Sequence, residues 1–170
     1  MAFRRIFVLG GARSGKSAFA ERLAAECGEP VLYVATATVT DEEMAERIAR
    51  HRAQRPTTWR TLEAPLGIAA QLMGLPGTAT VVVEDLTLLL SNLMTEDVAT
   101  AESRAQREIS DLLGHEANVI LVSNEVGMGI VPEYALGRLF RDALGRVNQA
   151  AAAACGEVYL LVAGLPLRLK

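Results

Sequence analysis

The chain has 170 residues, 51% hydrophobic and 22% charged, a size that fits one domain with a real core. Seventeen basic and 20 acidic residues leave a net charge of −3, which excludes the broad basic surface of a general nucleic-acid binder. Two cysteines far apart, Cys27 and Cys155, and only two histidines exclude a disulfide framework and a histidine-rich metal centre, and no stretch approaches the ~18 apolar residues of a membrane span.

The N-terminal apolar stretch is too short for a signal segment and runs straight into glycines, so a soluble cytoplasmic protein is expected. Only Lys16 and Lys170 are lysines; the other 15 basic residues are arginines. Arginine excess is compatible with a GC-rich genome and carries no function by itself. Lys16 stands out as the one lysine inside the chain.

In chain order, Arg5–Gly10 reads as a buried strand and Gly15–Cys27 as a helix. Val31–Ala35 is a second strand, and Asp41–Arg55 a helix with Asp41 as N-cap and acidic residues in its first turn. Trp59–Glu63 is a short strand and Pro65–Met73 a helix with proline in its first turn. Thr80–Glu84 is a core strand, Leu86–Met94 a buried helix and Asp97–His115 an amphipathic one, with His115 a bland residue at its end. Asn118–Ser123 is the next core strand, followed by a glycine-bearing loop, Asn124–Val131, and a long helix, Pro132–Ala154, with Gly156 at C′. Glu157–Ala163 is a core strand, and a Gly-Leu-Pro turn at 164–166 leads to a short antiparallel strand at 167–169. Apolar strands alternating with helices predict an α/β fold, a mostly parallel sheet with helices on both faces, in a single domain spanning 1–170.

Gly10-Gly11-Ala12-Arg13-Ser14-Gly15-Lys16-Ser17 matches G-x-x-x-x-G-K-[ST] between a strand and a helix. Glycines let the backbone amides face phosphates, and the helix N-terminus adds partial positive charge. Lys16 is expected to bridge β- and γ-phosphates, and the Ser17 hydroxyl to bind Mg²⁺. A carboxylate at the end of the strand 80–84 completes the metal site. Glu84 is preferred; Asp85 has the alternative role of capping the next helix. Ala35, Thr36, Ala37 and Thr38 leave the second strand at the same edge, either toward a ligand or as an ordinary connection.

Arg47, His51 and Arg55 fall at i, i+4, i+8, with Arg50 and Arg52 beside them. Guanidiniums so placed make an anion site and hold an imidazole neutral, below its free pKa of ~6.5. A neutral imidazole near a triphosphate is a possible nucleophile at phosphorus. The same spacing, through Met44, Ile48 and His51, equally suits a histidine bordering the core, with the arginines paired to Glu42, Glu43 and Glu46 on a solvated face.

At this point the chain resembles the bifunctional adenosylcobinamide kinase / adenosylcobinamide-phosphate guanylyltransferases. The carrying segments are GGARSGKS at 10–17, YVATA at 33–37, DEEMAERIARHRAQRP at 41–56 and WRTLE at 59–63. VVVEDLTLLLSNLM at 81–94, SNEVGMGIVPEYALGRLFRDALGRVNQ at 123–149 and GLPL at 164–167 complete it. The resemblance implies a RecA-like P-loop fold, homotrimers, and two reactions. ATP or GTP phosphorylates the aminopropanol hydroxyl of adenosylcobinamide; GMP from GTP is then attached to that phosphate through a GMP–histidine intermediate. The family's R-I-x-x-H-[RK] histidine falls on His51. Its nucleotide-contacting segments fall on Gly10–Ser17, on Ala35, Thr36 and Ala37, on Arg52, Ala53, Gln54 and Arg55, and on Glu63 and Glu84. In the loop 124–131, Gly127 and Gly129 suit either close backbone approach to a nucleotide or corrinoid, or a tight loop that stabilises the fold. One departure is visible: members often carry cysteine where this chain has Asp85. Two other readings compete. One is a P-loop small-molecule kinase without a covalent step. The other is a GTP-binding switch, against which the two lysines argue, since neither supplies an Asn-Lys-x-Asp guanine reader.

Overall fold

The computed structural model describes residues 3–38, 42–53, 55–75 and 77–170. Seven strands, β1 (Arg5–Gly10), β2 (Val31–Ala35), β3 (Arg60–Glu63), β4 (Thr80–Glu84), β5 (Asn118–Asn124), β6 (Glu157–Val162) and β7 (Leu165–Arg168), form one sheet in the order β3-β2-β4-β5-β1-β6-β7. All neighbours are parallel except β6 and β7. The helices are α1 (Lys16–Cys27), α2 (Glu42–Ala53), α3 (Ile68–Leu72), α4 (Leu86–Glu96), α5 (Ala101–Leu113) and α6 (Ala135–Ala154). This is the expected mostly parallel α/β sheet flanked by helices, with β5 inserted between the cradle strand β1 and the carboxylate strand β4 and an antiparallel strand at the C-terminal edge.

Alternation along the central strands divides the core between two faces. Phe7, Leu32, Val34, Val81, Val83, Val119 and Leu121 meet Ile68, Leu86, Leu90, Ile109 and Leu144 from α3 to α6. Ile6, Val8, Tyr33, Val82, Ile120 and Val122 meet Phe19, Ala20 and Leu23 of α1, together with Trp59. Both faces of each central strand are thus apolar, as the continuous V/I/L runs require.

The differences from expectation lie at element ends. Helix α3 is shorter than 65–73: Gly67, at φ 64°, stands at its N-cap, and Pro65 lies outside it. Helix α5 starts at Ala101, because Asp97 accepts hydrogen bonds from the Ala99 N–H (3.0 Å) and the Thr100 hydroxyl (2.7 Å) and so holds a turn. Helix α6 starts at Ala135; the Pro132 and Glu133 carbonyls are bonded instead by the Arg138 guanidinium. Gly156 does follow the C-cap of α6, but without a left-handed φ; its N–H bonds to the Arg5 carbonyl (3.0 Å). The second lysine supplies the missing cap: Lys170 Nζ donates to the carbonyls of Ala152 (3.3 Å), Ala153 (3.1 Å) and Cys155 (2.6 Å). The turn before β7 is Ala163-Gly164, both at positive φ (51° and 81°), a two-residue hairpin turn; Leu165 and Pro166 already belong to the strand.

An ion pair fastens the start of β1 to β6. Arg4 donates to both Glu157 oxygens (2.8 and 2.9 Å), and the Tyr159 hydroxyl adds a third bond (2.9 Å). Arg4, with help from Tyr159, holds the Glu157 carboxyl below the usual carboxylate range, against the opposing effect of burial. A depressed folded-state pKa contributes stability at neutral pH that disappears as pH falls through it. Glu157→Gln is therefore expected to lower the melting temperature at pH 7, and the gap to the parent protein to close below about pH 4; thermal melts across pH 3–8 check this.

Candidate active site at the phosphate cradle

The cradle follows β1 directly. A Cβ on Gly10 would lie 2.6 Å from Ser14 Oγ and 2.7 Å from the Leu161 carbonyl, so the loop closes only over glycine. Gly15, at φ 93°, is the N-cap of α1 and supplies no side-chain cap, leaving the first amides of α1 available to an anion. Lys16 lies back across the loop, its Nζ donating to the Gly11 carbonyl (2.8 Å). Ser14 Oγ is buried and has no hydrogen-bond partner among the described residues. Gly11, Ala12 and Arg13 complete the curve, Arg13 at φ 55°.

The hairpin turn packs against this loop. The Gly164 N–H bonds to the Ser14 carbonyl (2.9 Å), and a Cβ on Gly15 would sit 3.2 Å from Gly164 Cα. From the other side, the Glu125 N–H bonds to the Gly10 carbonyl (3.0 Å). The loop after β5 and the β6–β7 turn therefore both brace the cradle.

Glu84 ends β4 on the face covered by α1. One carboxylate oxygen accepts from the Ser17 hydroxyl and the other from the Tyr33 hydroxyl (2.7 Å). The alternative carboxylate, Asp85, points elsewhere: it caps α4 by accepting from the Leu88 N–H (2.8 Å) and takes a bond from Asn124 (3.2 Å). Burial pushes the Asp85 carboxyl above the usual carboxylate range. Of the two acids weighed from sequence, Glu84 is the one brought to Ser17. A serine hydroxyl and a carboxylate are hard oxygen donors suited to Mg²⁺, so the residues present fit that ion.

Glu63, Ala35 and Glu84 form one row across β3, β2 and β4 at the carboxyl edge of the sheet. Beyond it, Thr36 is fully buried and its hydroxyl is used locally: it donates to the Asp85 carbonyl (2.8 Å) and accepts from the Asp85 N–H (2.6 Å). Ala37 is half-buried beside it.

Helix α2 ends at Ala53, so Arg55 does not continue the Arg47–His51 stripe. Its guanidinium instead lies 3.5 Å over the Tyr33 ring and donates to Thr61 Oγ1 (3.3 Å). Arg52, exposed, lies 3.9 Å from Glu63. The backbone places His51 in the last turn of α2. Its side chain, those of Arg47 and Arg50, and all of Gln54 and Asp41 lie outside the described residues. Arg52 and Arg55 nonetheless follow His51 within four residues of the chain and bring the end of α2 to the cradle's edge of the sheet.

Tyr33, Gly164 and Asn124 are the contributors that sequence reasoning passed over. Tyr33 left one signal, a hydroxyl in an otherwise apolar strand; Gly164 and Asn124 were legible only as turn and loop residues. The His115 backbone carbonyl accepts from the Arg5 guanidinium (2.7 Å).

A glycine cradle at the end of a central parallel strand, a lysine folded across it and a hydroxyl–carboxylate pair at its mouth define a P-loop enzyme that uses nucleoside triphosphates. The family of cobinamide kinase / cobinamide phosphate guanyltransferase matches residues 6–169, and the chain belongs to it. It is 48% identical over 168 residues to the bifunctional adenosylcobalamin biosynthesis protein CobP of Pseudomonas aeruginosa, covering 98% of this chain and 97% of that protein. It is 42% identical over 180 residues to the bifunctional adenosylcobalamin biosynthesis protein CobU of Escherichia coli K12, covering 97% and 99%. Among solved structures, a Pyrococcus horikoshii OT3 protein shares the fold at 8% identity, with a TM-score of 0.57 over 98% of this chain and 86% of its own. Among the described residues no helix is long and apolar enough to cross a membrane.

Proposed function

We propose that this one domain phosphorylates adenosylcobinamide with ATP or GTP and then attaches GMP from GTP to the new phosphate, giving adenosylcobinamide-GDP. In the first step the aminopropanol oxygen attacks the γ-phosphorus and the nucleoside diphosphate leaves. The amides of Gly11 to Ser17 and the Lys16 ammonium hold the phosphates and offset charge on the transferring group. Ser17 and Glu84 would hold Mg²⁺, which would supply positive charge against the charge developing on the phosphates.

In the second step a His51 nitrogen attacks the α-phosphorus of GTP and pyrophosphate leaves. An oxygen of cobinamide phosphate then displaces the histidine from phosphorus. Arg52 and Arg55 offset the growing charge, with Glu63, Ala35, Thr36, Ala37, Ala53 and Gln54 shaping the nucleotide site. Splitting the transfer keeps two highly charged substrates from meeting directly. The observation that carries this reading is the return of the α2 end to the cradle edge, through Arg52 at Glu63 and Arg55 over Tyr33.

We further place the enzyme in the cytoplasm as a homotrimer. Exposed apolar residues around the loop after β5, among them Met128, Ile130 and Tyr134, support self-association. The test of function is mass spectrometry of a reaction holding adenosylcobinamide, GTP and Mg²⁺. Sequential appearance of the phosphate and the GDP-linked product is expected; the phosphate alone would leave only a kinase, and neither product would leave a nucleotide-binding switch.

A further inference from the structure

Strand β2 has one polar side chain among Val31, Leu32, Val34 and Ala35: Tyr33, which is 2% exposed. Its ring packs in the cluster beneath α1, a position that phenylalanine fills equally well. The hydroxyl needs a reason, because a buried O–H without a partner is costly. The register gives one. Tyr33 lies opposite Val82, and Glu84 stands two residues further along β4 on the same face, within reach of a long side chain across the diagonal.

The phenol donates to one Glu84 oxygen (2.7 Å), while the Ser17 hydroxyl donates to the other. Each carboxylate oxygen thereby has its own partner, and rotation of the carboxylate about its axis is blocked. The phenol is itself fixed, since the Arg55 guanidinium covers its ring at 3.5 Å and Arg55 is tied to Thr61. Resting on the reading of Ser17 and Glu84 as the Mg²⁺ site, we infer that Tyr33 is a positioning residue. It holds the Glu84 carboxylate with one oxygen turned toward Ser17, where the cation of the nucleotide complex is received. Tyr33 touches neither nucleotide nor cation; it acts through Glu84, as an outer partner orients a metal ligand.

Three measurements test this on the whole protein. First, Tyr33→Phe keeps the ring and removes the hydrogen bond. Mn²⁺ binding to the nucleotide-bound protein, followed by electron paramagnetic resonance, is expected to weaken about ten- to hundredfold, the usual effect of losing an outer partner. The Mg²⁺ concentration for half-maximal phosphorylation should rise in parallel, while nucleotide binding without divalent cation and kcat at saturating Mg²⁺ stay within about twofold by the same logic of a purely orienting role. Unchanged Mn²⁺ affinity in a folded Tyr33→Phe protein would overturn the inference, as would a loss confined to kcat.

Second, Glu84→Gln separates this inference from the reading beneath it. If Glu84→Gln keeps Mn²⁺ affinity, the metal-site reading fails; if it loses affinity and Tyr33→Phe does not, only the role of Tyr33 fails. Third, the parent protein grown with 3-fluorotyrosine gives three ¹⁹F signals, assigned with Tyr134→Phe and Tyr159→Phe. The Tyr33 signal is expected to shift when Mg²⁺ is added to the nucleotide complex. A Tyr33 signal that does not move sinks the inference without recourse to any change at position 33.

Discussion

His51→Ala is expected to abolish GMP transfer while phosphorylation of adenosylcobinamide continues. Removing a covalent nucleophile leaves only binding and charge stabilisation, so the loss in guanylyl transfer should be on the order of 10⁴-fold or more. The proposed kinase step draws on the cradle, Lys16, Ser17 and Glu84, and His51 comes from a different element, α2. Incubation with GTP labelled at the α-phosphate distinguishes the two. The parent protein should retain label that acid releases and base does not, the behaviour of a phosphorus–nitrogen bond, and His51→Ala should retain none. Equal labelling of the two proteins would remove His51 from the mechanism.

Lys16→Ala is expected to have the opposite reach and to cripple both reactions. Phosphoryl transfer needs charge stabilisation more than chemistry from the protein, and a preorganised donor of this kind contributes about 10²- to 10³-fold to kcat. Lys16 is 8% exposed and already folded against the Gly11 carbonyl, so little rearrangement separates its resting position from one over a bound triphosphate. Because alanine also deletes the stem that packs across the loop, Lys16→Arg serves as the companion: charge without the right reach. Both variants should keep the far-ultraviolet spectrum of the parent. A Lys16→Ala protein with parental kcat would mean that the cradle binds something other than the reacting phosphates.

The strands were legible almost residue by residue because all five central ones are apolar on both faces, and such runs have few other uses. Element ends were less so, since competing local bonds decide them. Asp97 spends its carboxylate on Ala99 and Thr100 and delays α5; Arg138 takes the carbonyls that an earlier start of α6 would have needed. The cradle was readable from spacing alone, whereas spacing left Glu84 and Asp85 both open; the fold brings Glu84 to Ser17 and sets Asp85 at the N-cap of α4. What spacing could not show is contact between elements remote in sequence. Gly164 against Ser14, and Arg55 over Tyr33, depend on how β6–β7 and α2 come back to the cradle edge. The helical stripe through Arg47, His51 and Arg55 misled for the same reason: the helix stops at Ala53, and tertiary packing claims Arg55. The meaning of His51 rested on the resemblance, since its spacing suited a core histidine equally well.

The distribution of lysine has a consequence for covalent regulation. Two ε-amines exist in the chain: one lies in the phosphate loop, and the other is spread over three carbonyls at the end of α6. Enzymes that acetylate or otherwise acylate lysine find no innocuous surface site on this protein. A single acyl group either removes the charge proposed to act on the phosphates or uncaps α6. For the same reason the two amines differ in reach for an amine-directed reagent: Lys16 is buried against the Gly11 carbonyl, and Lys170 stands at the exposed chain end.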